Sequence, residues 1–506
     1  MISRSPFGEI YRFDAKADTA GRIKDFIRKN GSRQVVAIQG LGFVGSAMLT
    51  AVAGARSQTD KPLYAVIGID LPTAASYWKI GSINRGKLPV KSSDKHLFAV
   101  FNESFQRGNI IATSNDYAYQ AADIVIIDVN LDVKKYGLGT GKNIKVCMDS
   151  FVFAVRQAAK NIRPSSLVIV ESTLPPGTCG KILVPVFREE FNKRGYKNAE
   201  PNLVYSYERV MPGKNYLKSI THYYRVFSAI NENSRRKARR FFKSFIDTKS
   251  YPLTELSSLA AAEMGKVLEN SYRAANIALI QEWTELAESA GVDLFEVIGA
   301  IRRRDTHNNI MAPGFGVGGY CLTKDPLLAD WSRRALFSRS EHMGISVEAV
   351  NINDKMPLHS LDLLKRHLKS IKNKRVLLMG ISYLKDVADT RFSPAELFYK
   401  RCIMEGARMI LHDPLVDYWP ELNLPIHADL KTAEAGGADA IILAVGHDEY
   451  INIRPRQYAR LLKPGGLILD CSNVLDDKKA DVLRKMNYKI IGVGKGHWNR
   501  KADFKK

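Results

Sequence analysis

The 506-residue sequence lacks closely spaced cysteines. It contains five, an odd number at wide spacings and without a CxxC pair: Cys147, Cys179, Cys321, Cys402 and Cys471. This pattern excludes a disulfide scaffold and offers no zinc or redox-exchange motif, so we expect no metal. Such cysteine usage is typical of proteins of a reducing compartment.

Long apolar runs are also missing. No run approaches the ~18 residues that a membrane span needs, and residues 1–29 lack the apolar segment of a signal peptide. We therefore expect a cytoplasmic protein without membrane contact. With 45% hydrophobic and 25% charged residues, the chain can form large cores, which argues against collagen, coiled coil and wholesale disorder. Its length suggests about three domains.

Acidic residues are scarce beside basic ones. The chain has 52 Asp and Glu against 75 Lys and Arg, a net charge of +23, which suits nucleic acid, a membrane surface or an anionic small substrate. The basic residues lie in short groups among acidic ones, at 302–304, 372–375 and 500–506, and no nucleic-acid motif is recognisable. We expect no nucleic-acid partner. A polyanion-binding protein, whose affinity would fall steeply with salt, stays open as an alternative.

Strand-like and helical patterns alternate in two parts of the chain. The first part has strand-like segments at 34–39, 63–69, 110–113, 123–128 and 167–170. The second has them at 375–380, 407–412, 438–445, 465–470 and 488–492. A proline-free helical period covers 255–290. The pattern predicts an α/β protein with two doubly wound domains joined by a long central helix.

A glycine motif directly follows the first predicted strand and precedes an apolar helical pattern. It consists of Gly40, Leu41, Gly42, Phe43, Val44 and Gly45. In this context glycines allow a tight turn and the close approach of a pyrophosphate to a helix N-terminus. Asp70 ends the next strand, where a carboxylate can accept hydrogen bonds from ribose hydroxyls, which favours NAD over NADP. The motif predicts a Rossmann-like NAD site, and a merely structural turn is the alternative.

Cys321 lies in a glycine-dense loop, Pro313 to Asp325, with Lys324 and Asp325 close behind it. Glycines let a backbone approach a ligand closely, and nearby cationic charge favours the reactive thiolate. We interpret this loop as a site of thiol chemistry. The alternative is an ordinary buried cysteine.

Several motifs together resemble those of the UDP-glucose/GDP-mannose dehydrogenase superfamily, in its order, from about residue 34 onward. They are Gly40 to Gly45, Glu171 to Gly177, Glu208 to Gly213, Lys266 to Asn270, the Cys321 loop and Tyr383 to Pro394. The resemblance implies a four-electron oxidation in which the C6 alcohol of a UDP-sugar becomes a carboxylate at the expense of two NAD. It implies an NAD-dependent nucleotide-sugar 6-dehydrogenase that feeds polysaccharide biosynthesis and forms a homodimer or larger oligomer.

The expected domains follow from this resemblance. We predict an N-terminal extension at 1–33, an NAD-binding Rossmann-like domain at 34–230, a central helical dimerisation domain at 231–371 and a UDP-sugar-binding α/β domain at 372–506. Pro212 stands where the UDP-glucose branch tends to have a second glutamate, and the stretch resembles the branch acting on UDP-N-acetylglucosamine and UDP-N-acetylmannosamine. UDP-glucose and a catalytically impaired nucleotide-sugar-binding homologue remain the alternatives.

The resemblance also assigns roles to residues. Cys321 matches the nucleophile that forms a thiohemiacetal and then a thioester, Asp325 the acid beside it, and Glu208 an acid/base. Lys266 and Asn270, four apart on one predicted helix face, match the oxyanion-stabilising pair. Further cofactor contacts are implied for Asn130, Thr173, Lys324 and Arg391. Substrate contacts are implied for Glu208, Arg209, Val210, Lys266, Asn270, Phe315, Gly316, Gly318 and Lys385.

The sequence departs from the family pattern at a few positions. Where the family usually has Thr-Pro after the fourth strand, the chain has Asn130, Leu131 and Asp132, which removes a hydroxyl credited with positioning water and cofactor. Asn130 or Asp132 are the candidates to replace it. Tyr320 precedes the cysteine, Tyr207 replaces a common proline, and Asn473 stands where an arginine often reaches the sugar acid. These departures predict a changed substrate pocket.

Overall fold

The computed structural model describes residues 1–14, 19–211, 213–427, 430 and 437–503. The chain forms two compact units. The first unit comprises Met1–Lys134, Lys145–Leu268 and Trp331–Glu341. The second comprises Lys135–Ile144, Glu269–Asp330 and His342–Lys506.

The first unit is built on a mixed sheet in the order β12-β11-β10-β9-β6-β3-β4-β5, in which only the β10–β11 pairing is antiparallel among the described strands. The strands in this part of the chain, of which β7 and β8 contain residues of both units, have the following bounds: β1 Ile2–Arg4, β2 Ile10–Arg12, β3 Gln34–Gln39, β4 Tyr64–Ile69, β5 Ile110–Thr113, β6 Ile124–Ile127, β7 Val133–Lys135, β8 Ile144–Val146, β9 Leu167–Val170, β10 Asn202–Tyr207, β11 Val226–Ala229 and β12 Thr254–Glu255. Strands β4, β6 and β9 are apolar and buried along their whole length, and β3 is buried from Val35 to Gln39, as strands covered on both faces must be.

Helices cover this sheet. They are α1 Ala20–Asn30, α2 Phe43–Ala53, α3 Tyr77–Asn84, α4 Lys95–Gln106, α5 Tyr117–Ala121, α6 Met148–Asn161, α7 Val184–Lys193, preceded by a π-helical turn at Cys179–Leu183, α8 Lys218–Thr221 and α9 Glu232–Phe242. Helix α2 is buried from Gly45 to Ala53, which explains why its sequence is apolar all round rather than amphipathic. It packs in the core of the unit with Val36, Ile38 and Ile126 of the sheet.

The second unit contains a parallel sheet in the order β14-β13-β17-β18-β19. Its strands are β13 Arg375–Met379, β14 Arg408–His412, β15 Tyr418–Trp419, β16 Leu424–Pro425, β17 Ala438–Leu443, β18 Leu462–Asp470 and β19 Lys489–Gly492. Its further helices are α11 Leu294–Ile301, α13 Gly344–Leu368, α14 Pro394–Met404, α15 Asp448–Ile451, α16 Pro455–Leu461, α17 Asp477–Lys485 and α18 Gly496–Asp503.

Two helices contain residues of both units, α10 Leu259–Ala290 and α12 Asp325–Ala335. With 32 residues, α10 is the long helix expected at 255–290. The α/β fold with two parallel-sheet regions and a long central helix is therefore confirmed. Within the described part of the chain, no helix combines the length and apolar character that crossing a membrane requires.

The first 33 residues contain more structure than the sequence indicated. Helix α1 lies within this predicted extension and buries Ile23 and Phe26. Ahead of it, β1 and β2 pair as an antiparallel hairpin that the sequence pattern did not predict, because each strand has only three residues.

Candidate active site

The glycine motif forms the turn between β3 and α2. Gly40 has a φ of +97°, and a Cβ there would lie 2.6 Å from the carbonyl oxygen of Asp128. A Cβ on Gly45 would lie 1.8 Å from the carbonyl oxygen of Gly40, so no larger residue fits. At Gly42, the N-cap of α2, no described heavy atom lies within 4 Å of a Cβ. The turn thus leaves room at a helix N-terminus where a pyrophosphate fits.

Asp70 follows β4 and lies against this turn. Its Oδ2 accepts a hydrogen bond of 3.0 Å from the backbone N–H of Leu41. The same oxygen forms an ion pair of 2.9 Å with Lys79 Nζ. Its Oδ1 accepts from the backbone N–H of Leu71 at 2.8 Å. The carboxylate is therefore fixed beside the glycine turn, as the predicted ribose contact requires.

A row of carboxylates continues along the same edge of the sheet. Asp128 follows β6, Glu171 follows β9 and Glu208 follows β10, and these strands are neighbours. Arg225 Nη1 donates to Glu171 Oε1 at 2.8 Å, and both side chains are almost fully buried. The sequence analysis did not assign Asp128, Glu171 or Arg225 to the site. The positions of Asp128 and Glu171 at the carboxyl ends of parallel strands are the signal that could have found these two acids, whereas Arg225 precedes the antiparallel strand β11 and carries no such signal.

The row is unusual electrostatically because it buries several acids around few cations. Burial, together with the charges of Glu171 and Glu208, raises the pKa of Asp128 well above its ordinary value. Both Asp128 carboxylate oxygens are shielded from solvent and accept no hydrogen bond from the described residues. Burial also raises the pKa of Glu171, although Arg225 opposes the shift. The protonated acid is therefore favoured at Asp128.

Glu208 and Lys266, two of the residues expected in the site, lie in contact with each other. Lys266 Nζ donates to the backbone carbonyl of Glu208 at 2.8 Å and lies 3.3 Å from its Oε1. The backbone N–H of Val210 donates to Glu208 Oε2 at 2.5 Å. Arg209 donates to the Tyr207 hydroxyl at 3.3 Å and lies over its ring. The loop after β10 is thus arranged around one carboxylate and the Lys266 ammonium.

In the second unit, Cys321 begins the turn that leads into α12. Its carbonyl accepts from the N–H groups of Lys324 and Asp325 at 3.1 and 2.9 Å, and its side chain is exposed. Asn270 Nδ2 donates to Asp325 Oδ2 at 2.6 Å, and Lys324 Nζ lies 3.4 Å from Oδ1. Asn270, Lys324 and Asp325 are buried. Cys321 thus precedes a helix N-terminus, a position that favours a thiolate.

The glycines of the Cys321 loop pack against residues 383–394. A Cβ on Gly318 would lie 2.5 Å from the Cβ of Tyr383, and one on Gly316 would lie 2.6 Å from that of Pro394. The N–H of Gly319 donates to the carbonyl of Arg391 at 3.1 Å. The predicted cofactor residue Arg391 is bound to Asp389 at 2.6 Å in the structure.

Lys385 lies in the segment that follows β13. Asp413 Oδ2 accepts from the N–H groups of Ile381 and Ser382 at 2.8 and 3.0 Å, and His447 Nδ1 accepts from the N–H of Asp386 at 2.9 Å. These bonds fix the backbone on both sides of Lys385, whose ammonium is half exposed and lies 2.7 Å from Asp448 Oδ1. The cation is accessible to a phosphate.

The remaining predicted residues differ in exposure. Asn130 is exposed and Thr173 half-buried, so both can reach a ligand. The ring of Phe315 is buried against Phe398, so only its backbone is left for a substrate contact. Leu131 is buried and Asp132 exposed, while Asn473 is exposed with a φ of +51°. Pro212 lies outside the described residues.

Glu263 joins α10 to the turn after β9. It is fully buried and accepts from the N–H groups of Gly177 and Cys179 at 2.6 and 2.7 Å. Burial raises the pKa of Glu263 to about 7, although these hydrogen bonds oppose the shift. The sequence analysis did not single out this residue, which anchors the helix that carries Lys266 one turn further on.

A glycine turn at a helix N-terminus, a fixed acid after the next strand and an exposed cysteine at a turn define an NAD-dependent dehydrogenase of the doubly wound class. Models of the UDP-glucose/GDP-mannose dehydrogenase family match the chain in its NAD binding domain at 34–246, its central domain at 260–355 and its UDP binding domain at 377–477. The chain belongs to this family. It is an NAD-dependent nucleotide-sugar dehydrogenase.

Individual relatives agree over nearly the full length. The chain is 28% identical to a UDP-N-acetyl-D-mannosamine dehydrogenase of Methanocaldococcus jannaschii, covering 93% of this chain and 99% of the relative. It is similar to the solved UDP-D-ManNAc dehydrogenase of Pyrococcus horikoshii, with a TM-score of 0.74, 26% identity, and 92% and 100% coverage. An NDP-N-acetyl-D-galactosaminuronic acid dehydrogenase from Methanosarcina mazei shares the fold, with a TM-score of 0.75, 24% identity, and 94% and 98% coverage.

Substitutions at two glycines separate folding from cofactor binding. Gly42→Ala places a methyl group in open space, so we expect an unchanged unfolding midpoint but NAD binding weakened about tenfold or more, since the methyl occupies room needed by the pyrophosphate. Gly45→Ala forces a methyl group into the Gly40 carbonyl and should lower the unfolding midpoint itself. Calorimetric NAD titration and thermal unfolding measure both. Normal NAD affinity in Gly42→Ala would contradict this placement of the pyrophosphate.

Glu263 gives a pH dependence of stability. The folded state keeps its proton up to about pH 7, whereas the unfolded carboxyl ionises near its ordinary value of 4.5. The stabilisation is complete below pH 4.5 and is lost as pH rises to 7, at up to about 1.4 kcal/mol per pH unit. Urea unfolding between pH 5 and 7 should show this fall, and Glu263→Gln should flatten the slope whatever its absolute stability. An equal slope in the variant would show that Glu263 is already ionised in the fold.

Proposed function

We propose that the protein oxidises the C6 alcohol of a UDP-N-acetylhexosamine to the uronic acid, through a covalent intermediate on Cys321. The observation that carries the covalent step is an exposed thiol at the turn into α12, followed by the buried group of Asn270, Lys324 and Asp325. The substrate class is supported by the names of the Methanocaldococcus and Pyrococcus relatives. UDP-glucose is the second candidate, because the stretch Val133 to Gly137 and the pair of Lys324 and Asp325 resemble the UDP-glucose branch of the family.

The chemistry balances as two oxidations and a hydrolysis. The alcohol loses a hydride and a proton to give the aldehyde, and the Cys321 thiol adds across the C=O bond to give a thiohemiacetal. Loss of a second hydride and proton leaves a thioester, which water cleaves to the acid and the free thiol. NAD, when bound, supplies the acceptor for each hydride. Covalent capture keeps the aldehyde from leaving between the two oxidations.

The other side chains have roles that suit their surroundings. Lys266, held by Glu208, and Asn270, held by Asp325, are a cation and an amide donor that can stabilise an oxyanion from buried positions. Glu208 carries the acid/base work, and Asp325 handles proton and water beside the thiol. The segment with Lys385 presents a cation to the UDP phosphates, and Arg391 contacts the cofactor.

Cofactor contacts follow the geometry of the first unit. The turn from Gly40 to Gly45 would hold the pyrophosphate, and Asp70 the ribose hydroxyls. Asn130 and Thr173 lie on loops after neighbouring strands of the same sheet edge, where the nicotinamide half is expected. Lys324 is the remaining residue proposed as a cofactor contact.

The stoichiometry of NADH tests the proposed function. With a panel of UDP-N-acetylglucosamine, UDP-N-acetylmannosamine, UDP-N-acetylgalactosamine and UDP-glucose, we expect two NADH per molecule of one N-acetylhexosamine substrate, read by absorbance. A ratio of two with UDP-glucose alone would identify the protein as a UDP-glucose dehydrogenase and contradict the assignment to an N-acetylhexosamine. No turnover with any sugar, despite normal UDP and NAD binding, would favour the catalytically impaired homologue.

The same assay tests the covalent step. In Cys321→Ser the rate of acid formation should fall by roughly 10³-fold or more, because a serine ester does not replace the thioester.

The matched control for this variant is Cys147→Ser. Cys147 is half-buried and precedes α6, outside the proposed site, and its replacement should leave the stoichiometry unchanged. Full acid yield from Cys321→Ser would overturn the covalent mechanism while leaving the substrate assignment intact.

We also propose that two copies associate through α10. Tyr272, Leu279 and Leu286 recur every seven residues on one face of this helix and are 56%, 43% and 70% exposed. Exposed apolar side chains in such a row mark an interaction surface, and a repeated helix face suits a second copy. Sedimentation should give a dimer or larger oligomer, with dissociation in Leu279→Lys/Leu286→Lys. A monomer at micromolar concentration would contradict this.

A further inference from the structure

The hairpin of β1 and β2 lies outside the part of the chain that the family models match, which begins at residue 34. Its strands alternate strictly. Ser3 and Tyr11 are buried, whereas Ile2, Arg4, Ile10 and Arg12 on the other face are exposed. The buried face therefore has a partner, and the structure shows that the partner is α3 with the loop before it.

Ser3 binds the loop and the helix at once. Its Oγ donates to the carbonyl of Ala74 at 2.7 Å and accepts from the N–H of Trp78 at 2.9 Å. The first bond fixes the loop after Asp70, and the second satisfies an N–H of the first turn of α3, which has no partner within the helix. The ring of Phe13 stacks on that of Tyr77, with centroids 4.1 Å apart and planes at 10°.

Tyr11 lies in a notch of α3 made by Gly81. A Cβ on Gly81 would lie 2.4 Å from Tyr11 Cδ1, so the ring reaches the helix backbone only because this residue is glycine. Glycine inside a helix costs about 1 kcal/mol relative to alanine. The Tyr11 hydroxyl is bound by Glu9 at 2.5 Å and Ser82 at 3.3 Å, and Arg85 lies over its ring at 4.5 Å.

Helix α3 leads directly to the cofactor site. It carries Lys79, whose ammonium forms the 2.9 Å ion pair with Asp70. Asp70 in turn accepts from the backbone N–H of Leu41 in the glycine turn. The hairpin is thus connected through α3 and Lys79 to the acid that faces the ribose, and through Ser3 to the loop that follows this acid.

We propose that the hairpin is a positioning element for NAD, which sets cofactor affinity by holding α3 and the 71–76 loop against Asp70. It does so without touching the reacting atoms. Without the hairpin, Lys79 and the loop would sample other arrangements, and part of the binding free energy of NAD would be spent on ordering them. The proposal rests on NAD use and not on the identity of the sugar or on Cys321.

The test compares the two faces of one strand. Tyr11→Ala empties the notch, and Gly81→Ala fills it. Ile10→Ala and Arg12→Ala change the exposed face of the same strand and are the matched controls. Calorimetric titration should give an NAD Kd raised about fivefold or more in both notch variants and unchanged in the controls. With any sugar that is turned over, the KM for NAD should rise in parallel while kcat at saturating NAD stays constant.

Hydrogen exchange distinguishes positioning from simple stability. In the NAD-free protein, residues 71–84 should exchange faster in the notch variants, and saturating NAD should restore their protection. If Tyr11→Ala does not fold, Ser3→Ala provides the same test with two hydrogen bonds removed, and Arg4→Ala is its control. Faster exchange with an unchanged Kd for NAD would overturn the proposal, because the hairpin would then stabilise α3 without affecting the site.

Discussion

The contact of Gly45 with the carbonyl of Gly40 is the constraint on which the first unit depends. It brings the start of α2 so close to the end of β3 that no side chain fits between them. The same turn places Gly40 against the carbonyl of Asp128, the first residue after β6. One close approach therefore fixes a helix N-terminus, two strand ends and the open space above Gly42.

This geometry also determines the electrostatics of the sheet edge, where a phosphate-binding turn lies beside several carboxylates. A helix N-terminus favours negative charge, so the glycine turn can receive a phosphate. Further along the edge, Asp128 and Glu171 are buried, and burial disfavours their charged forms. Arg225 compensates Glu171, and Lys266 compensates Glu208, but no described cation is hydrogen-bonded to Asp128. A neutral acid thus lies beside the cofactor turn, where an additional negative charge would repel a pyrophosphate.

The sequence predicts those parts of the site that depend on neighbouring residues. The glycine turn, Asp70 and the Cys321 loop are local patterns, and they lie between β3 and α2, directly after β4 and before α12, respectively. Lys266 and Asn270 share a helix, but their partners, Glu208 and Asp325, come from distant segments. The pair of Arg225 with Glu171 and the notch of Gly81 for Tyr11 could not be predicted, because neither partner carries a local signal of the other. The sequence pattern also did not predict strands β10 and β11. Their place in the sheet depends on pairing with each other and with β9, and no local pattern in either segment indicates that pairing.

Two departures from the family pattern differ in their physical effect: Tyr207 gains contacts with its neighbours, whereas Leu131 lacks a polar group. Tyr207, in place of a proline, is compensated: its buried ring lies beneath Arg209 and near the Lys266 ammonium, and a Cβ on Gly265 would lie 3.3 Å from its hydroxyl. Tyr207 therefore adds contacts around Lys266. Leu131 is different, because its side chain is buried and supplies no hydroxyl. A buried leucine cannot orient water, so the exposed Asn130 and Asp132 in the same loop stay the candidates for that role.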